Sequence, residues 1–98
     1  MNKEPPFEWD EAKRISNLTK HNIDFEAIGG AFSDPEALRF ADDRKDYGEL
    51  RMIMVARCGS DTLTIVFAWR GARMRIISAR TANPKERRLY EKRLHERR

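Results

Sequence analysis

The residues of this chain best suited to chemistry are arginines gathered around one strand and the helix that follows it. Arg70, Arg73 and Arg75 lead into the run Arg75-Ile76-Ile77-Ser78-Ala79, and Arg80 closes it. With a period of two, Arg73 and Arg75 share a face with Ile77, opposite Met74, Ile76 and Ser78, and Arg80 at the strand end can leave from either face. A guanidinium donates two parallel hydrogen bonds to a phosphate and keeps its charge at physiological pH. Such groups bind RNA or stabilise the extra charge of a phosphate under attack. They serve equally well on a surface that grips a partner.

Proton transfer has fewer candidates. His21 can act as acid or base near neutrality, or can cap a helix by donating to its free carbonyls. Glu86, Arg87 and Tyr90, spaced by three and four, share one helical surface as an anionic base with cationic and phenolic neighbours. The plain alternative is a helix-start charge, a solvated cation and a packed ring. Ser78 lacks a local base signal, and Gly29-Gly30 lacks the strand and spacing of a phosphate loop. Asp42, Asp43 and Asp46 read as a solvated loop rather than a cation site. The sequence calls for no metal and no cofactor.

Several elements must position these groups. Phe7-Glu8-Trp9 alternates like a short strand and ends at Asp10, a helix N-cap. A first helix is expected over residues 11–20, with Ala12, Ile15, Leu18 and Thr19 on its packed face and Asn17 turned elsewhere; His21-Asn22 stops it. Asp24 opens a short second helix with Phe25, Ile28 and Phe32 inward, which Ser33-Asp34-Pro35 breaks. A short strand over 37–40 and a loop over 41–48 lead to three strands, 50–58, 62–69 and 73–79, joined by close turns that make neighbours antiparallel. Met52-Ile53-Met54-Val55 is apolar on both faces and marks a central strand. Asn83, Pro84 and Glu86 form a strong helix start, and Leu89, Tyr90 and Leu94 give the last helix a thin apolar stripe.

Composition bounds the function. The 98 residues are expected to form one domain, loose at 1–6 and frayed at 92–98. From Arg70 onward there are 11 Lys or Arg against 3 Glu, a charge of +8, whereas residues 1–69 carry 9 against 13, a charge of −4. The net +4 thus hides a dipolar molecule with a polyanion-binding end. Cys58 is the only cysteine, so no internal disulfide can form. No apolar run reaches membrane-spanning length and no signal-peptide pattern opens the chain, so a cytoplasmic protein is expected.

In order and spacing, Phe7-Glu8-Trp9-Asp10-Glu11-Ala12-Lys13-Arg14, Asn17, Lys20-His21-Asn22-Ile23-Asp24-Phe25, Phe32-Ser33-Asp34-Pro35, Arg75 to Arg80, Glu86-Arg87 and Tyr90 resemble the BrnT family of bacterial toxins. The likeness runs from Phe7 to Glu91; Asn22 stands where the family more often has glycine. It implies an α+β fold similar to the RelE toxins, an antiparallel sheet with two N-terminal helices and a C-terminal helix, the helices on one side. It also implies an endoribonuclease that halts translation by cleaving messenger RNA. A BrnA-like ribbon-helix-helix antitoxin is implied as partner, with operator DNA reached only through it. On RelE-like chemistry Arg80 would clamp the transition state and His21 or Glu86 would move the proton. Arg70, Arg75, Arg87 and Tyr90 would hold substrate, leaving Arg93, Arg97 and Arg98 for steering or partner contacts.

Overall fold

In the computed structural model, residues 7–96 are described. The expected loose start at 1–6 and Arg97 and Arg98 lie outside them. The elements are β1 (Phe7–Glu8), α1 (Glu11–His21), β2 (Leu38–Ala41), β3 (Arg51–Cys58), β4 (Asp61–Arg70), β5 (Arg73–Thr81) and α2 (Pro84–Glu96), with two 3-10 turns at Phe25–Ala27 and Gly29–Ser33. The five strands form one sheet in the order β1-β5-β4-β3-β2. This is an α+β fold, but the sheet is mixed rather than antiparallel. The first strand enters beside the last, and Phe7 and Glu8 pair in parallel with Met74 and Arg75.

The remaining strands form an antiparallel meander. Two-residue turns join β3 to β4 and β4 to β5, each opened by a glycine with positive φ, 63° at Gly59 and 60° at Gly71. Met54, Val55 and Ala56 are all buried, as a central strand covered on both faces requires.

The expected second helix is instead the pair of 3-10 turns. Asp24 caps the first by accepting from the Glu26 amide at 2.9 Å. Gly29-Gly30 then deny the segment the propensity that a regular helix needs. The bonds Ala27 N–H to Asp24 C=O and Ala31 N–H to Ile28 C=O are of the tighter i to i+3 kind. A Cβ at Gly29 would stand 3.3 Å from the Phe7 ring, so this segment lies close under β1. Phe25, Ile28 and Ala31 from it fill one face of the sheet with Met54, Ile65, Phe67 and Ile76.

The helices do not share one side. Tyr90 of α2 packs with Val55 and Ala82, and Val55 points away from the face of Met54 and Ala56. The last helix therefore covers part of the opposite face. Asp34 joins the layers: its Oδ2 accepts from the Arg57 amide at 2.8 Å and from the Tyr90 hydroxyl at 2.6 Å.

The buried face of α1 also differs from expectation. Ile15 is 53% exposed and Leu18 38%, whereas Asn17 is 6% exposed. The sheet geometry gives the reason. β1 ends after two residues, so β5 beyond it has an open edge, and Asn17 closes that edge as a strand would. Its Oδ1 accepts from the Ala79 amide at 3.0 Å, and its Nδ2 donates to the carbonyls of Ala79 at 2.8 Å and Ile23 at 2.9 Å. Replacing Asn17 by Ala leaves buried backbone groups unpaired, and we expect a loss on the order of 2–3 kcal/mol. Urea denaturation measures it, and an unchanged midpoint would show that these bonds contribute nothing.

Candidate functional site

β5 carries one more residue than β4 across a short stretch. Ile76 pairs with Phe67 and Ser78 with Val66, which leaves Ile77 as the extra residue of a bulge. Below the bulge, Met74 and Ile76 face the main core; above it, the core residue is Ala79. Ser78 therefore shares the face of Arg73 and Arg75, contrary to an uninterrupted alternation. Arg80 joins that same face, opposite Thr64 on β4.

Around Arg80 the sequence builds a hydrogen-bonded cluster. Asn83 accepts from the Glu86 amide at 2.8 Å, and Glu86 Oε1 reaches back to the Asn83 amide at 2.9 Å, a reciprocal capping box opening α2. The same carboxylate receives Arg80 through both terminal nitrogens, at 2.8 Å each. Thr64, 1% exposed, donates its hydroxyl to Glu86 Oε1 at 2.8 Å.

The bonds from Arg80, the Asn83 amide and Thr64 outweigh burial and hold Glu86 at about 2, well below its ordinary 4.5. The Arg80 guanidinium is raised in turn by Glu86. Its side chain remains 39% exposed, and its Nη1 also donates to the Thr81 carbonyl at 3.4 Å. Arg44, in the loop after β2, lies close enough for its charge to act on Arg80. That arginine is itself held by a fork to the buried Asp42 carboxylate, with both bonds at 2.7 Å, and Asp42 is driven well below the usual carboxylate range.

Arg80, Glu86 and, at the cluster's margin, Arg87 come together. Arg87 donates to the Ala82 carbonyl at 2.7 Å and so fixes the chain between β5 and α2. His21, exposed at the end of α1, lines a cleft of about 210 Å³ with Asn17, Lys20 and Ser78. Ser78 carries the cleft onto the Arg80 face. Asn22 just beyond His21 has φ 59°, the left-handed turn expected of it.

Arg75 lies on the Arg80 face about 14 Å along the strands, four β4 residues away at about 3.4 Å each. It is paired with Glu8 at 3.0 Å. Arg70 sits at the far turn, bridged to Glu49 at 3.3 Å, about 20 Å from Arg80 by the same measure. Tyr90 packs on Val55, two strands from Arg80 on the same sheet face, but α2 buries it there. It is 3% exposed, its hydroxyl is committed to Asp34, and burial and that carboxylate push it up to about 12.

Sequence reasoning missed Arg44, Thr64 and the role of Asn17. The first two have no local signal. Asn17 had one, since a short amide amid charged residues interrupts an otherwise ordinary amphipathic pattern.

The family model described as "Ribonuclease toxin, BrnT, of type II toxin-antitoxin system" matches residues 9–86. The chain belongs to this family. BrnT membership brings with it ribonuclease activity and an antitoxin partner. The matched span ends at Glu86, so it includes Thr64, Arg80, Asn83 and Glu86 of this BrnT chain and stops just short of Arg87. No curated protein matches the chain significantly. Among the described residues, no helix is long and apolar enough to cross a membrane, and no three His, Cys, Asp or Glu are grouped to hold a metal ion.

The depressed Glu86 pKa sets a pH dependence. A carboxyl that is more acidic folded than unfolded adds stability above about 4.5, which is lost as pH falls through about 2. The stability difference between wild type and Glu86→Gln should therefore shrink across that window, measured by denaturant titration at stepped pH. A difference constant from pH 5 to 2 would show that the carboxylate is not held in this way.

Proposed function

We propose that this chain is a metal-independent endoribonuclease that cleaves messenger RNA and so inhibits translation, with a RelE-like fold comprising one domain. The observation that carries this reading is the bidentate Arg80–Glu86 pair, which fixes a half-exposed guanidinium on the sheet face that α2 partly covers, the face that Ser78 of the His21 cleft also shares. Fixed donors aimed at developing charge need no reorganisation as the reaction proceeds.

In the proposed reaction the ribose 2′-oxygen attacks the adjacent phosphorus while its proton passes to a base. The bond from phosphorus to the 5′-oxygen breaks, and that oxygen takes a proton as it leaves. The products are a 2′,3′-cyclic phosphate and a 5′-hydroxyl end. Arg80 stabilises the phosphorane charge with the guanidinium N–H groups that Glu86 and Thr81 leave unused. Glu86 acts as its positioning residue: three donor groups occupy the carboxylate, and at a pKa of about 2 it is a poor proton acceptor near neutrality. His21 is then the proton carrier, reaching substrate across Ser78.

Arg75 and Arg70, on the same face, guide the flanking phosphates toward Arg80. Arg87 supports the site through the Ala82 carbonyl, and Tyr90 anchors α2 beneath it. The antitoxin on this reading is BrnA-like, with a ribbon-helix-helix region that carries the pair to operator DNA, and the chain works in the cytoplasm.

Removing one such charge stabiliser costs about 10² to 10³ in rate. Arg80→Ala should lose that much RNA cleavage in EDTA while keeping its far-UV spectrum, and His21→Gln should lose activity. A deoxyribose at the scissile position should abolish cleavage by the wild type. Full activity of a folded Arg80→Ala protein would overturn the assignment, and RNA binding that generates no new ends would mark the chain as a non-catalytic basic module.

A further inference from the structure

The strand order leaves β2 as an outer edge of the sheet. The Asp42 amide donates to the Arg51 carbonyl at 2.8 Å, continuing the β2–β3 ladder past Ala41. Antiparallel pairs alternate, so Leu38, Phe40 and Asp42 bond to β3, and the N–H and C=O groups of Arg39 and Ala41 point outward. A groove of about 630 Å³ runs beside them, lined by Leu38, Arg39 and Phe40 and by Leu89, Lys92 and Arg93 of α2. Successive strand residues point to opposite faces, so a groove touching all three runs along the strand edge.

The walls of this groove are apolar and basic. Phe40 is 41% exposed and Leu89 47%. Arg39, Lys92 and Arg93 meet a single acidic lining residue, Glu96, and none of the three makes an ion pair among the described residues. The Arg93 Nε is shielded from solvent and has no hydrogen-bond partner among the described residues. Such a donor is costly to leave unmet and is readily satisfied by an arriving acceptor.

We propose that this groove receives an extended acidic segment of the antitoxin, which adds to β2 as a sixth strand. Its backbone would continue the amide ladder, its apolar side chains would cover Phe40 and Leu89, and its carboxylates would meet Arg39, Lys92 and Arg93. RNA suits the groove less well, because a sugar-phosphate chain cannot continue an amide ladder. The inference rests on the family for the existence of an antitoxin and is independent of the Arg80 chemistry.

The test uses the full chain and the antitoxin encoded with it. Ala41→Pro removes an outward N–H from an edge strand, where proline is tolerated, and Lys92→Glu with Arg93→Glu reverses the groove's charge. Each variant should bind antitoxin at least tenfold more weakly by calorimetry, with RNA cleavage by the free toxin unchanged. Hydrogen exchange on the wild-type complex supplies a readout that needs no variant: the Arg39 and Ala41 amides should become protected. Unchanged affinity in the folded charge-reversed protein, or equal exchange of those amides with and without antitoxin, would overturn the proposal. So would an effect of the substitutions confined to RNA binding or to self-association.

Discussion

A strand offers two faces in strict alternation, so the one extra residue in β5 governs where every later side chain of that strand points. Without the bulge at Ile77, position 80 would follow Met74 and Ile76 into the core, where an arginine would have to be desolvated. With it, Ala79 fills the core and Arg80 stands on the face of Arg75. The adjoining features follow from that shift. Asn17 meets the backbone of Ala79 at the sheet edge, Thr64 lies opposite Arg80, and the chain turns into α2 with Glu86 placed to receive the guanidinium.

The positive charge of the last third is organised rather than merely abundant. Arg70 is shared with Glu49, Arg73 and Arg75 with Glu8, and Arg80 with Glu86. Pairing reduces the long-range field of each cation but fixes its donors in space. At Arg80 the fixing is strongest, because its acceptor is also held by Thr64 and a backbone amide. Exposed pairs such as Arg73 with Glu8 contribute little to stability. Their effect is to orient guanidinium groups along one face of the sheet.

Much of this arrangement was legible in the sequence because it is encoded locally. Asp10 caps α1, Asn83-Pro84 and Glu86 open α2, Gly59 and Gly71 make the turns, and the doubly apolar run at Met52 is central. What was not legible depends on pairs distant in sequence. The parallel contact of β1 with β5 has no signature in two residues, and two glycines left the 24–33 segment between helix and turn. The bulge hides in Ile76-Ile77, where either residue suits the core. Asn17 reads as a solvent-facing residue until the edge it seals, 62 positions later, is known. At the site, the capping pattern located Glu86, but only the folded arrangement reveals that its carboxylate is already occupied.

The sheet order also bears on the time course of synthesis. The first strand and helix of the chain dock on the last strand, whereas the β3-β4-β5 meander is built from neighbours. An emerging chain can begin the meander, but β1 and Asn17 have no seat until β5 has left the ribosome, because contacts of high sequence separation close last. A nascent chain interrupted before that point lacks both Arg80 and the edge that α1 must seal. The seal of α1 on β5 is thus among the last contacts the fold can make, and until it forms the Ala79 backbone stays open to pairing with another strand.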